Sequence, residues 1–369
     1  TFTPARRTFD VGLTDITGIN FTATESSVYG QSDLAGTWRM NMLRKGTEDA
    51  WVRARVKIGS TGAAQCLSYE TSANPGVTDC ETTAPDFDLT FTVRKDVITG
   101  DPWIIQEGAY APSDNGHMTM NSNKDFAAGT ATAGTNYQIM VAQKEGTTKY
   151  SEGYLVSKNF VVHGMVIGGT NEWWHGTGAT NTTRVTTMSE EVGPNGASSA
   201  TINGVTFDLA DDGVVTIVDA LGARASDFEG FLSVDKRTIV GTYTDINGDY
   251  QLMIVQITGG QAVANLTGSS YNHLLGVGDD IFWAHHDINV SRFETSVLPD
   301  IFGLSWHWDA MIYYNWHWTL NDTPPLLLGL VGVKTTLQIA DDGQVIVTNP
   351  ETDAIVFHGQ LAFDGTFMV

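Results

Sequence analysis

The last residues of this chain begin a repeat unit that its first residues continue. Near the middle runs Thr238-Ile239-Val240-Gly241-Thr242-Tyr243-Thr244, then a turn, then Tyr250 to Gly259. The C-terminal Thr366-Phe367-Met368-Val369 matches this from Thr238 to Val240 and breaks off. The N-terminal segment opens Thr1-Phe2-Thr3 and runs on to Val11 through Gly18. A shift of 241 places Thr3 on Thr244, Asp15 on Gln256, Thr17 on Thr258 and Gly18 on Gly259. One repeat divided between the two ends is the signature of a circular β-architecture in which the terminal strands share a sheet. Thr3 and Met368 are therefore expected on one ladder.

The repeat covers most of the chain. Thirteen residues separate Trp38 from Trp51, Phe160 from Trp173 and Ser270 from Trp283, so one hairpin occurs three times. Short segments with period-2 alternation and many β-branched residues follow each hairpin, and none has helical periodicity. Asp211-Asp212-Gly213 and Asp341-Asp342-Gly343 fall at equivalent places between strands, where Gly supplies the positive φ of a tight turn. About eight strands per module divide into two four-stranded blades of the length a propeller uses. The predicted fold is an all-β, six-bladed β-propeller made of three double-blade repeats, its last blade shared by the N- and C-terminal strands. Eight blades, or three tandem β-sandwich or barrel units, are the alternatives. The modules run 33–146, 147–259 and 260–369, with 1–32 completing the last blade and a Trp/His-rich insert at about 289–325.

Charge limits the partners. The 42 acidic and 20 basic residues give a net charge of −22. A nucleic-acid binder needs a basic surface, and an anionic membrane attracts one, so both partners are disfavoured. No apolar run reaches the ~18–20 residues of a membrane-spanning helix; the longest is Leu326 to Val333. Cys66 and Cys80 flank a Ser/Thr/Asn/Pro/Gly loop, which reads as a local disulfide in an exported protein, against the alternative of two buried thiols. A start at Thr1 fits removal of a signal peptide.

Three constellations carry candidate chemistry. Asn41, His163 and His273 recur on the first strand of each module, and Arg53, His175 and His285 on the second. Two modules thus place a pair of imidazoles across one hairpin, with His286 beside the last, as a transition-metal site would. The plainer reading is a polar, hydrogen-bonding position at the rim or channel of each blade. Asp245-Ile246-Asn247-Gly248-Asp249 spaces Asp245, Asn247 and Asp249 like calcium-loop ligands, against an ordinary hairpin turn. The insert carries Trp306, Trp308, Tyr313, Tyr314, Trp316 and Trp318, which suit a packed lid, a protein interface or a sugar-stacking platform. No nucleophile elbow, phosphate loop or haem-attachment motif occurs, and no carboxylate pair stands out as a glycosidase couple.

The phrases DLAGTW, NKDFAAGTAT…YQIMVAQK, TNEW, FEGFLSVDKRTIVGTYTD…YQLMIVQITG and FHGQLAFDGTFMV resemble a family of exported repeat proteins and lipoproteins found chiefly in metal-reducing and related environmental bacteria. The resemblance covers most of the chain outside the insert. It implies export and repetition, and it brings no assigned activity and no catalytic residue. The lipid-modified Cys of its lipoprotein members has no counterpart here, which sets surface anchoring apart from what the resemblance implies. The expected role is a secreted, non-enzymatic binding or structural component of an extracellular or cell-surface assembly, with proteins or polysaccharide as partners. The alternatives are a carbohydrate-binding or carbohydrate-active protein, a subunit polymerising by strand exchange, and a His-rich metal-binding protein.

Overall fold

The structure, a computed structural model, describes residues 18–24, 29–84, 87–95, 102–108, 116–169, 171–192, 198–218, 227–259, 268–277, 281–296, 306–318, 326–339, 344–348, 355–360 and 367–368. The first module folds into β2 (Gly36–Lys45), β3 (Ala50–Ile58), β4 (Ala63–Thr71), β5 (Leu89–Lys95), β6 (Pro102–Gly108), β7 (Gly116–Met120), β8 (Phe126–Ala133) and β9 (Asn136–Lys144). The second gives β10 (Asn159–Ile167), β11 (Glu172–Thr180), β12 (Val185–Val192), β13 (Ser198–Leu209), β14 (Val214–Val218), β15 (Glu229–Leu232), β16 (Thr238–Thr244) and β17 (Tyr250–Ile257). Each set pairs antiparallel in chain order, and its first strand also pairs with its last, so each closes as one eight-stranded barrel.

This closure corrects the propeller. Each of these modules has its eight strands, but they form one continuous ladder and not two four-stranded blades. The physical reason is visible in β2 and β10, each of which is hydrogen-bonded along both edges. The structure accords with the barrel alternative.

The third module supplies β18 (Gly268–Val277), β19 (Ile281–Ser296), β20 (Trp306–Trp318), β21 (Leu326–Ile339), β22 (Gln344–Thr348), β23 (Ile355–Gln360) and β24 (Phe367–Met368). Its eighth lane is β1 (Gly18–Thr24), which lies between β18 and β24. Thr22 stands opposite Met368 and Ala23 opposite Phe367. Head and tail therefore do share a sheet, but by a later segment than the shift of 241 implies. That shift makes Gly18 the residue after the shared strand, whereas here Gly18 begins it. Ile19, Phe21 and Ala23 alternate with Asn20, Thr22 and Thr24, a period-2 pattern suited to this lane. The expected pairing of Thr3 through Thr17 lies outside the described residues.

Among the described residues the insert forms no separate element. It lengthens β19, β20 and β21 to 16, 13 and 14 residues, against 9 for β3 and β4. In β20 the pairing shifts register between Tyr314 and Trp316, so Trp306, Trp308, Tyr313 and Tyr314 belong to one stretch of ladder and Trp316 and Trp318 to another.

Alternation assigns the faces. In the first barrel Trp38, Met40, Met42, Val52, Ala54, Val56, Met118 and Met140 fill the lumen. In the second the lumen holds Phe160, Val162, Val166, Trp174, Phe207, Phe231 and Met253. Gly164 stands opposite Trp174, where a Cβ would lie 2.1 Å from the indole, so the missing side chain is the space that ring occupies. A third cluster lies outside the lumens. It joins Leu43, Trp51, Ile139 and Val141 of the first barrel to Met165, Ile167, Val240, Leu252 and Ile254 of the second and Leu275 of the third sheet. Leu43, Met165 and Leu275 are each 0% exposed and stand opposite the repeated Trp51, Trp173 and Trp283. The three units thus meet around one apolar centre at equivalent positions. β2 and β3 pack on β16 and β17, β8 and β9 on β18 and β19, and β10 on β1. In the first two contacts the first hairpin of one unit meets the last of another, and the third sets β10, the first strand of the second barrel, on β1, so each unit touches the other two.

Cys66 and Cys80 form the expected disulfide, with Cα atoms 6.2 Å apart. It ties β4 to the short helix α1 (Cys80–Thr83), which Asp79 caps through the Thr82 amide. Closing a loop of about 15 residues restricts the unfolded chain by roughly 3 kcal/mol. Reduction with dithiothreitol, followed by urea unfolding, is expected to show that loss; an unchanged midpoint would mean the bond does not constrain the unfolded state.

Candidate functional site

The repeated hairpin positions converge on the contacts between barrels. Asn41 pairs in register with Arg53, and Arg53 with Glu70 on the next strand. The second barrel repeats the row as His163, His175 and Glu191, and the third sheet pairs His273 with His285. Asn41, Arg53, His163 and His175 face away from the lumens, on the side of Leu43 and Met165. The rim or channel of a propeller blade is therefore not where they lie, because there is no blade; Asn41 and Arg53 lie where the first barrel meets the second.

Where the first two barrels meet, side chains of the first reach carbonyls and hydroxyls of the second. Asn41 Nδ2 donates to the Val240 carbonyl at 3.1 Å, and Trp51 Nε1 donates to Thr244 Oγ1 at 2.9 Å. Arg53 Nε donates to Thr242 Oγ1 at 3.0 Å, and its Nη2 donates to the carbonyls of Thr242 and Asp227. Its Nη1 reaches Glu70 Oε2 at 3.2 Å, and the guanidinium lies 4.0 Å from the centre of the Trp51 ring. Gln143 Nε2 donates to the Thr238 carbonyl at 3.2 Å, and Arg39 bonds Glu145 within its own barrel and Asp212 of the other. Burial pulls the Arg53 guanidinium below its usual range, and Glu70, Glu229 and Asp227 oppose that pull. The charge stays on arginine, which does not deprotonate in proteins.

His163 and His175 are 1% and 4% exposed, with ring centroids 5.1 Å apart in an edge-to-face arrangement. Two imidazoles are two of the three or four ligands a transition metal takes. Among the described residues no three His, Cys, Asp or Glu side chains converge. The pair is the second barrel's counterpart of Asn41 and Arg53, placed where β10 meets β1. His273, His285 and His286 are placed by backbone register alone, on β18 and β19.

The calcium-like segment is the hairpin turn between β16 and β17. Asp245 Oδ1 accepts from the Asn247 and Asp249 amides at 2.8 and 3.0 Å, and its Oδ2 accepts from Gln251 Nε2 at 3.1 Å. Asp249 Oδ1 accepts from the Gly169 amide at 2.6 Å, and Gly248 takes φ +89°. These carboxylates serve the turn and a neighbouring loop, as Asp and Asn do in tight turns.

His117 was not singled out by the sequence. It stands on β7 opposite Thr130, and burial, together with Arg94, pushes its pKa down to about 4. A histidine depressed in the folded state takes up its proton in the unfolded chain first. Its contribution is complete above pH ~6.5 and is lost as pH falls toward 4, reaching roughly 3 kcal/mol. Urea unfolding at pH 7 and pH 4.5 is expected to show a smaller loss for His117→Gln than for the wild type, by roughly 2–3 kcal/mol. Equal losses would contradict the burial.

No family model, curated protein or solved structure matches the chain. Among the described residues no helix is long and apolar enough to cross a membrane.

Proposed function

We propose that this protein is a secreted, non-enzymatic binding or structural component of an extracellular or cell-surface assembly. The observation that carries the reading is how the two closed barrels use their faces. Their lumens are filled by aromatic, methionine and branched side chains, and their most elaborate polar groups are spent on holding barrel to barrel. A protein built this way presents a rigid outer surface, and the disulfide suits an oxidising compartment. The acidic surface and the Trp/His-rich β20 point to protein or polysaccharide partners rather than nucleic acid. Native purification of the secreted and surface fractions, with partners fixed by mild cross-linking, tests this. Recovery in a reproducible complex supports it. Turnover of a glycan, abolished by changing one carboxylate, overturns it in favour of a carbohydrate-active enzyme.

A second reading, polymerisation by strand exchange, draws support from β1. This strand is remote in sequence from both β18 and β24 yet lies between them, and an identical strand of a neighbouring molecule fits the same lane. A tethered strand has the higher effective concentration, which favours closure within one molecule. Light scattering separates the two: a monodisperse monomer excludes the polymer.

A further inference from the structure

Four neighbouring strands of the first barrel set methionine in two adjacent rows of its lumen. One row reads Met42, Met140, Gly129, Met118 across β2, β9, β8 and β7. The next reads Met40, Ala142, Ala127, Met120 on the same strands. Five of the chain's 10 methionines thus belong to one buried cluster, each 7% exposed or less. Met42 and Met140 stand directly opposite each other, a pairing that sets Cβ atoms about 5 Å apart. Met118 lies two strands from Met140, about 10 Å across the sheet, with Gly129 between them. A Cβ on Gly129 would lie 2.5 Å from Met118 Cγ, so the Met118 side chain leans over the glycine. Gln138 Nε2 donates to Met140 Sδ at 3.5 Å and steadies that thioether from the other side.

Packing alone does not call for thioethers here. The second barrel runs the first row as Gly164, Met253, Gly241, Gly230. Rings fill it: a Cβ on Gly164 would lie 2.1 Å from the Trp174 indole, and one on Gly241 2.5 Å from Phe228. Its second row is branched aliphatic throughout, from Val162 to Leu232. The same architecture therefore packs its lumen with one methionine in these rows where the first barrel has five.

We propose that the first barrel binds a soft monovalent cation, copper(I), through the sulfurs of Met42, Met140 and Met118, with Met40 and Met120 in the row beside them. Thioether sulfur is uncharged and polarisable and favours copper(I), whereas harder divalent ions take imidazole, carboxylate or water. β2, β7, β8 and β9 carry no carboxylate and no cysteine, and alternation turns His117 to the face opposite Met118. Arg44 and Gln138 form the row beyond Met42 and Met140, and Trp38 and Lys144 the row beyond Met40 and Ala142. A site between two cations bears a single added charge better than a double one.

The metal-free full chain, offered copper(I) anaerobically as its bicinchoninate complex, tests this, both as the folded protein and while refolding from urea. It is expected to take one copper(I) per chain, with sulfur and no nitrogen around the metal by X-ray absorption. Met42→Leu/Met140→Leu conserves volume, a change that cores tolerate. It is expected to lose more affinity than the ~10–100-fold that altering an outer-shell partner costs. Met253→Leu, at the counterpart of Met140 in the second barrel, is expected to bind as the wild type does. Should the double variant fail to fold, Met118→Leu serves in its place and is expected to weaken binding at least ~10-fold. No uptake by either route overturns the proposal. Copper bound through nitrogen, affinity retained in full by the first-barrel variants, or an equal loss in Met253→Leu overturns it as well.

Discussion

Replacing Arg53 with alanine is expected to lower the unfolding free energy by about 3–5 kcal/mol, the usual consequence of removing one partner from a buried ion pair. Three losses combine. Glu70, 6% exposed, loses the guanidinium it pairs with. The Thr242 and Asp227 carbonyls and Thr242 Oγ1 lose their donor inside a closed contact. The face of Trp51 loses the cation stacked on it. Lysine is not expected to restore this, because one ammonium cannot match a planar fork that serves four acceptors in different directions. The double variant Arg53→Met/Glu70→Gln, which removes both charges and keeps the volume, is expected to recover most of the loss. Chemical denaturation of the three proteins checks this. If the double variant is as unstable as Arg53→Ala, unpaired charge is not the cause.

Trp51→Ala is the second large effect, about 3–5 kcal/mol for a large aromatic removed from a packed interior. Trp51 is 0% exposed and belongs to the cluster shared by all three units, not to a lumen. Its indole also donates to Thr244 of the second barrel. The substitution should therefore damage the ring more than either barrel. Unfolding is expected to broaden or split into separate transitions, since packing between units is what makes them unfold together. Trp51→Phe fills most of the space and loses only the hydrogen bond, so about 1 kcal/mol is expected of it beyond the small volume change. A single sharp transition in Trp51→Ala, displaced by less than 1 kcal/mol, would remove the apolar centre from the account.

What the sequence made legible was local. Period-2 alternation marked strands such as Ile239 to Thr244, and the thirteen-residue hairpin set Asn41 opposite Arg53 and His163 opposite His175. Such pairings depend on neighbouring strands and a short turn. Blade against barrel could not be decided the same way, because closure depends on whether β2 meets β9, about a hundred residues later. One signal did exist. Ile139-Met140-Val141-Ala142 and Leu252-Met253-Ile254-Val255 are apolar on both faces, whereas Thr177, Thr187 and Ser189 on β11 and β12 are exposed. First and last strands doubly buried, with middle strands half exposed, is what a barrel docked by one side onto its neighbours requires.

The site was legible by position but not by role. Repetition located Arg53, His175 and His285, yet which surface they faced depended on the packing of whole units. Thr242 was missed, although Gly241-Thr242 recurs as Gly129-Thr130 in the first module and its hydroxyl lies in the contact with Arg53. Glu70 was missed because its partner lies across a β-bulge between Arg55 and Val56, where simple counting along the hairpin fails. The Asp245 turn was read from ligand spacing, which a hairpin turn closed by its own carboxylates reproduces equally well.

The lane that β1 fills between β18 and β24 joins the whole ring, and one cross-link tests it. Thr22 and Met368 stand directly opposite each other there. In a Thr22→Cys/Met368→Cys variant, air oxidation is expected to give a disulfide within one molecule, seen as faster migration on a non-reducing denaturing gel and as a linked peptide by mass spectrometry. Free thiols at both positions, under conditions in which Cys66 and Cys80 are joined, would contradict it.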